Sequence, residues 1–101
     1  MEKIDIILKA CEDKIGEDIK LVNLENNIIC DSFVIVTGSN YNHTRAIANE
    51  IEEKLEKEGF ETKIEGFRDG NWILLDAGDV IVHIFTKNTR DFYKLEKLWE
   101  N

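Results

Sequence analysis

The spacing of apolar residues predicts two amphipathic helices in the first 60 positions of the chain. In the first helix the apolar residues recur three, four and seven positions apart and form one stripe, and Gly16 is placed to end it in a left-handed conformation. The second helix is predicted from about Tyr41 to Glu58, with Asn40 as its N-terminal cap and Gly59 as its stop. The stripes consist of Ile4, Ile7, Leu8 and Cys11 in the first helix and Ile47, Ala48, Ile51 and Leu55 in the second.

Three stretches between and after these helices are predicted as strands or turns. The segment 18–24 alternates loosely between polar and apolar residues, and Asn26-Asn27 marks a turn after it. The continuous β-branched run 33–37 indicates a central strand that is buried on both faces. A short strand at about 62–66 follows the long helix, and this strand–helix–strand order allows a right-handed parallel crossover.

The segment from Trp72 to Phe85 carries the clearest strand pattern in the chain. Two apolar runs, 72–75 and 80–85, flank a polar link that contains Gly78, which is typical of a β-hairpin. Strands with one solvated face alternate between apolar and polar residues, and these two hardly do. Either helices of the same chain cover both faces of the hairpin, or one face binds a partner.

The last segment, NTRDFYKLEKLW, is helical by pattern and should dock its aromatic stripe on the sheet. The stripe is formed by Phe92, Leu95 and Trp99 and is broadened by Tyr93 and Leu98. The predicted fold is α/β (α+β), a mixed β-sheet with helices packed on it in the order α-β-β-α-β-β-β-α. Residues 1–101 are predicted to form one domain, because a chain of this length builds a single hydrophobic core and the sequence shows no linker or repeat.

Charge and composition narrow the classes of partner. The chain has 13 Lys and Arg against 21 Asp and Glu, a formal net charge of −8, which repels phosphate backbones and anionic lipid. We therefore expect little direct nucleic-acid contact. A basic protein is the better partner, although many acidic proteins use their charge only for solubility, so that charge alone does not decide the function. The sequence shows no targeting signal and no apolar run near the roughly 20 residues of a membrane span, so a cytoplasmic protein is predicted. Cys11 and Cys30 lack metal-site spacing and should be ordinary reduced thiols.

A phosphate site and a metal site are both poorly supported. The Gly38-Ser39 turn between a strand and a helix is a place where phosphates bind, but it lacks the glycine spacing and lysine of a P-loop. A nucleotidyltransferase would need paired carboxylates on a neighbouring strand. Glu61 and Glu65 stand four apart with Lys63 between them, which would be a poor metal site. No cofactor and no metal ion are predicted.

The titratable residues of the hairpin have structural interpretations beside the functional ones. Asp76 and Asp79 flank its turn, where carboxylates usually accept hydrogen bonds from nearby backbone N–H groups; a general acid/base pair is the alternative. His83 lies on an apolar strand face and is best interpreted as a hydrogen-bonded core residue, while His43 near a helix start should be exposed. Because no nucleophile arrangement is visible, the protein is not predicted to be an enzyme. Trp72 is either core or an interface anchor, since Trp dominates binding hot spots.

The run WILLDAGDVIVHIF from Trp72 strongly resembles the ribosomal silencing factor family (RsfS, also called Iojap). Glu65-Gly66 before it and RDFYKLEKLW after it belong to the same resemblance. Further matches are DSFVIVTG from Asp31, Ala46-Ile47-Ala48 and Glu17-Asp18-Ile19, so that the resemblance covers nearly the whole chain. The chain departs from the family pattern at Cys30-Asp31-Ser32-Phe33, at Ala77 and at Asn42-His43, which affects the detail of the contact surface and not the framework.

The resemblance implies a fold similar to the nucleotidyltransferase superfamily without its catalytic carboxylates. It also implies binding to the large (50S) ribosomal subunit through the basic ribosomal protein numbered fourteen, which blocks joining of the small subunit and represses translation. Organellar relatives act in large-subunit assembly, and homodimers occur in the family. For such a contact we predict Trp72 and Leu74 as the anchor, Asp76 and Asp79 as partners of Lys or Arg, and His83 as a further contact.

Overall fold

The structure, a computed structural model, describes residues 2–24 and 31–98. A five-stranded mixed sheet forms its centre, and the predicted order of helices and strands is confirmed. The elements are α1 (Lys3–Asp13), β1 (Glu17–Asn23), β2 (Ser32–Gly38), α2 (Tyr41–Lys57), β3 (Lys63–Glu65), β4 (Trp72–Asp76), β5 (Val80–Thr86) and α3 (Lys87–Tyr93), with a 3-10 turn at Leu95–Leu98.

The strands lie in the order β1-β2-β5-β4-β3. Strands β4 and β5 form the predicted antiparallel hairpin, while β2 pairs with β5 in parallel. Because β3 is antiparallel to β4, and β4 is antiparallel to β5, β3 runs in the same direction as β5 and therefore as β2. The crossover through α2 therefore joins two strands of the same direction, but both strands of the hairpin lie between them.

One face of the sheet, the helix face, is covered by α1 and α2. Alternate residues of the central strands point to this face, because side chains along a strand alternate. They pack against the apolar stripes that the sequence predicted on both helices. Each fully buried aliphatic side chain contributes about 1.5–3 kcal/mol to folding, so this layer is the main source of stability. From the sheet it includes Val34, Val36, Ile73, Leu75, Val82 and Ile84, all fully buried.

The opposite face, which we call the outer face, is only partly covered by the part of the chain that the structure describes. The strand registers place on it Val22, Phe33, Ile35, Thr37, Trp72, Leu74, Asp76, Ile81, His83 and Phe85. A second apolar cluster around Phe85 and Ile35 lies here, and Leu95 of the C-terminal segment packs against it. Both faces of β5 are thus used, which explains why its sequence hardly alternates.

Two predictions about helix ends are wrong. Helix α1 ends at Asp13, and Ile15 rather than Gly16 adopts the left-handed conformation, with φ of 58°. Gly16 is required for another reason, because a Cβ atom there would lie 2.5 Å from a methyl group of Val36. The C-terminal segment is also not one helix: Lys94 is left-handed, with φ of 46°, and leaves Phe92 79% exposed instead of docked. The predicted turn at 26–27 and residue 99 of the predicted stripe lie outside the described residues.

We predict that Gly66→Ala destabilises the protein more than Gly59→Ala. Both glycines have left-handed backbones, with φ of 76° and 85°, so an alanine at either site costs about 1–2 kcal/mol of strain. A Cβ at Gly66 would also collide with the carbonyl oxygen of Trp72, whereas nothing lies within 4 Å of one at Gly59. Urea denaturation of both variants measures the difference, and equal losses of unfolding free energy would contradict this packing of the 66–72 turn.

Candidate functional site

Three of the predicted site residues form a row along β4. Trp72, Leu74 and Asp76 are half-buried on the outer face, while Ile73 and Leu75 between them are fully buried on the helix face. The row exists because β4 is a regular strand, in which every second side chain shares a face. Each member of the row therefore presents part of its surface to solvent from a rigid element.

The indole ring of Trp72 is held by three neighbouring rings. Its centroid lies 5.0 Å from that of Phe85 and 4.9 Å from that of Tyr93, the last residue of α3. Its Nε1–H donates a hydrogen bond of 3.1 Å to Nδ1 of His83. Aromatic pairs of this kind contribute about 0.5–1.5 kcal/mol each beyond the area they bury. Trp72 is therefore both partly exposed and fixed in orientation.

His83 lies on β5 opposite Leu74, on the same face as this row. It is buried and hydrogen-bonded, as predicted from its apolar surroundings. It is 5% exposed, and its ring packs edge-on against the ring of Phe33, with 4.8 Å between the two centroids. Because Nδ1 accepts from Trp72, the neutral ring carries its proton on Nε2. Nε2 is buried and has no hydrogen-bond partner within the described part of the chain. Burial lowers the pKa of His83 from 6.5 to about 4, so the ring is neutral at physiological pH.

The two aspartates of the hairpin turn are engaged separately. Oδ1 of Asp76 accepts a 2.8 Å hydrogen bond from the backbone N–H of Gly78, which is the turn role that its position predicts. Oδ1 of Asp79 forms a 2.8 Å salt bridge with Nζ of Lys3, which also donates to the carbonyl of Ala77. The hydrogen bond from Lys3 lowers the pKa of the Asp79 carboxyl. Asp79 is thus directed toward α1, away from the row that contains Asp76.

Sequence reasoning missed the two partners that organise this hairpin. Lys3 clamps its turn from α1, and no local pattern signals a contact between residues 76 positions apart in the chain. Tyr93 supports Trp72 from α3. The aromatic content of the C-terminal segment was a signal for docking, but it did not identify which aromatic residue docks.

The turn after β2 is occupied by His43, which we expected to be exposed. His43 is half-buried: its Nδ1 accepts a 2.8 Å hydrogen bond from the backbone N–H of Ser39, and its Nε2 lies 2.6 Å from the carbonyl oxygen of Lys14. The ring therefore ties the end of α1 to the start of α2. Since the Ser39 amide is already engaged, it is not available to a phosphate in the way that an anion-binding turn requires.

Other reactive groups offer little chemistry. Burial raises the pKa of the Cys11 thiol to about 12, so this cysteine is an inert core residue, as predicted. Among residues 2–24 and 31–98, no three His, Cys, Asp or Glu side chains are grouped to hold a metal ion. Within the same residues, no helix has the length and apolar character needed to cross a membrane.

Comparison with known proteins matches residues 1–101 to the RsfS family, described as "Ribosomal silencing factor during starvation". Ribosomal silencing factor RsfS of Bacillus subtilis (strain 168) is 41% identical over 98 residues, which cover 95% of this chain and 83% of that protein. The protein of the same name from Halalkalibacterium halodurans is 37% identical, over 97% of this chain and 86% of its own length. A crystal structure of a Chromobacterium violaceum protein has a TM-score of 0.94 at 33% identity, covering 98% and 87% of the two chains.

More distant matches carry names from organelles. "Mitochondrial assembly of ribosomal large subunit protein 1" of Mus musculus is 28% identical over 102 residues, and the aligned segment spans 95% of this chain but 44% of the mouse protein. "Protein Iojap, chloroplastic" of Zea mays is 29% identical over 96 residues.

We predict that His83 makes the stability of the protein depend on pH in a defined window. Below pH 6.5 the unfolded chain takes up a proton that folded His83 excludes until about pH 4, so stability is lost as the pH falls through this range. The loss attributable to His83 is roughly 3 kcal/mol, since one pKa unit corresponds to about 1.4 kcal/mol. Denaturant unfolding of the wild type and of His83→Gln between pH 4 and 7 measures it. A constant difference in unfolding free energy across the window would contradict the neutral, buried state.

Proposed function

The chain belongs to the ribosomal silencing factor family, and from this premise we propose that it binds the large ribosomal subunit and blocks joining of the small subunit. The proposed contact is the basic ribosomal protein numbered fourteen. Blocking is steric and needs no catalytic group, so repression of translation follows from a sufficiently stable complex. The protein acts in this proposal as a cytoplasmic regulator and not as an enzyme.

The observation that carries the proposal is the fixed, half-exposed indole of Trp72 on the outer face. Two rings and one hydrogen bond hold it before any partner arrives, so little side-chain entropy is lost on binding. Leu74 follows it in the same row and adds apolar area. A rigid aromatic residue beside an aliphatic one has the composition of a hot spot.

Charge supports a basic protein as the partner. The formal net charge of −8 attracts a basic surface and speeds the encounter with it. Asp76 lies in the row itself and would pair with a Lys or Arg of the partner at its edge. Asp79 is 56% exposed at the turn, and in the proposal it serves as a rim contact while Lys3 holds its Oδ1. His83 contributes through the orientation of Trp72, because its ring is buried.

A second candidate function is assembly of the large subunit, which the name of the mouse relative states for that protein. The same binding face would then shield an immature particle. Depletion of the protein separates the two functions: precursor large subunits accumulating in growing cells would favour assembly, whereas normal subunits with failed repression in starved cells would favour silencing. An enzymatic function has weaker support, since Glu65 of β3 lies opposite Leu74, and Asp76 lies opposite Lys63 instead of a second carboxylate.

We predict that Trp72→Ala and Leu74→Lys both weaken binding to the large subunit. Trp72→Ala removes the anchor and should cost more than about 1 kcal/mol, a fivefold or larger loss of affinity. Leu74→Lys places a cation against a basic partner and tests the charge argument separately. Light scattering or gradient sedimentation of separated subunits measures joining in the presence of each variant.

The matched control is Tyr41→Ala, which removes an aromatic side chain that is 52% exposed at the start of α2, away from the outer face. Circular dichroism establishes that each variant is folded, since Trp72 also packs against Phe85. Unchanged joining at saturating wild-type protein would reject the blocking mechanism. Folded Trp72→Ala and Leu74→Lys proteins that block as well as Tyr41→Ala would reject the outer face as the site.

A further inference from the structure

A notch of about 470 Å³ opens at the carboxyl ends of the parallel strands β2 and β5, between β1 and α3. In open α/β sheets this is the position where ligands commonly bind. Among the lining residues that the structure describes, cations exceed acids by two, although the whole chain has a formal net charge of −8. Its charged lining residues are the cations Lys20, Lys87, Arg90 and Lys97 and the acids Asp18 and Asp91.

Arg90 is fixed at the bottom of this notch. Its side chain is buried, with the residue 9% exposed, and Nη1 donates hydrogen bonds to the carbonyl oxygen of Asp18 at 2.6 Å and to Oγ1 of Thr37 at 2.8 Å. The Asp18 carbonyl lies at an irregularity in β1, where the residue is left-handed with φ of 47°. These bonds use both protons of Nη1 and hold the guanidinium in place, so its charge is a permanent part of the floor.

The lysines at the rim differ from Lys3 and Lys9, which form salt bridges. Lys3 is paired with Asp79 and Lys9 with Asp13. Lys87 and Lys97 are exposed and form no ion pair with the side chains that the structure describes. Two such lysines above a buried guanidinium make a concave, cationic surface, which fits an anion with several oxygen acceptors.

The notch lies beside the proposed protein-binding row. Arg90 and Tyr93 lie three positions apart on one side of α3, where Arg90 contacts Thr37 and Tyr93 contacts Trp72. At a rise of about 1.5 Å per residue, these two positions are about 4.5 Å apart along the helix axis. When a partner covers the Trp72 row, the groups that flank the partner's contact surface lie next to the notch.

We propose that the notch binds a phosphodiester group of ribosomal RNA next to the protein contact, an inference that rests on the proposed function. A basic ribosomal protein is surrounded by the RNA phosphates that it neutralises, so phosphate is the anion that a factor seated on such a protein meets first. Lysine ammonium groups bind phosphate as compact point charges on flexible stems, so the two rim lysines can adjust to a phosphate above the fixed guanidinium of Arg90. The acidic remainder of the surface repels RNA and restricts the contact to this notch, which refines the expectation of little nucleic-acid contact to one local phosphate contact.

The test compares Lys87→Gln/Lys97→Gln with the control Lys54→Gln/Lys57→Gln, which removes the same charge from the last turn of α2 on the helix face. Affinity of each full chain for purified large subunits is measured between 50 and 200 mM salt. Each lysine that releases a counterion contributes about 1 to the slope of log affinity against log salt. We expect the notch variant to lose about 2 from this slope, with an affinity loss that is largest at low salt, and the control to keep the wild-type slope.

Equal slopes for both variants and the wild type, with intact wild-type binding, would overturn the notch and leave the proposed function standing. Ultraviolet cross-linking identifies the anion: a link between RNA and a peptide containing Lys87 or Lys97 supports the proposal. A link from that peptide to protein alone would overturn it in favour of an acidic protein contact.

A second measurement applies even if the wild type fails to bind subunits and the proposed function falls. Backbone amide resonances of the isolated protein are followed during titration with a stem-loop RNA at low salt and, separately, with inorganic phosphate. Saturable shifts at Lys87, Arg90 and Lys97 with RNA, absent in the notch variant, support the site. No shifts with RNA, or saturation by inorganic phosphate at lower phosphate concentration than by RNA, would overturn an RNA phosphate as the ligand.

Discussion

The burial of β5 on both of its faces is the constraint on which the rest of the structure depends. An apolar strand with two apolar faces must lie in the middle of a sheet and must find cover on each side. Helices α1 and α2 cover one side completely, and β2 and β4 satisfy the backbone on either edge. The other side, the outer face, is covered in part by the C-terminal segment, and the half-buried row of Trp72, Leu74 and Asp76 lies beside that cover.

Fold and site are joined through His83. It lies on β5, so the packing that makes this strand central also removes water from its ring and keeps it neutral. A neutral ring with its proton on Nε2 has a lone pair on Nδ1, and this lone pair accepts the indole N–H of Trp72. The orientation of the half-buried Trp72 is thus set by the buried His83, and a contact to the core keeps a binding residue rigid.

The sequence predicts those parts of the structure that depend on local patterns. The hairpin, the capped helix α2 and the buried strand β2 are each specified by apolar spacing and by turn residues such as Asn40 and Gly59. It does not predict features set by contacts between distant segments. Ile15 takes the left-handed position while Gly16 passes close to Val36, and Asp79 turns toward α1, where it pairs with Lys3. For the site, the β4 row follows from alternation along the strand. The contact between Tyr93 and Trp72 does not, because it depends on α3 ending at Tyr93, before the end of the apolar stripe that the sequence shows.

The irregularity near Asp18 has a consequence for how copies of this protein meet. Strands β1 and β3 are the free edges of the sheet, and a long regular edge invites another strand to pair with it. The first is interrupted by the break in register between Glu17 and Lys20, and the second is three residues long, so neither is a good template. Self-association through a continuous intermolecular sheet is thereby disfavoured. A second copy that met the outer face would cover the Trp72 row and would compete with the proposed partner for it.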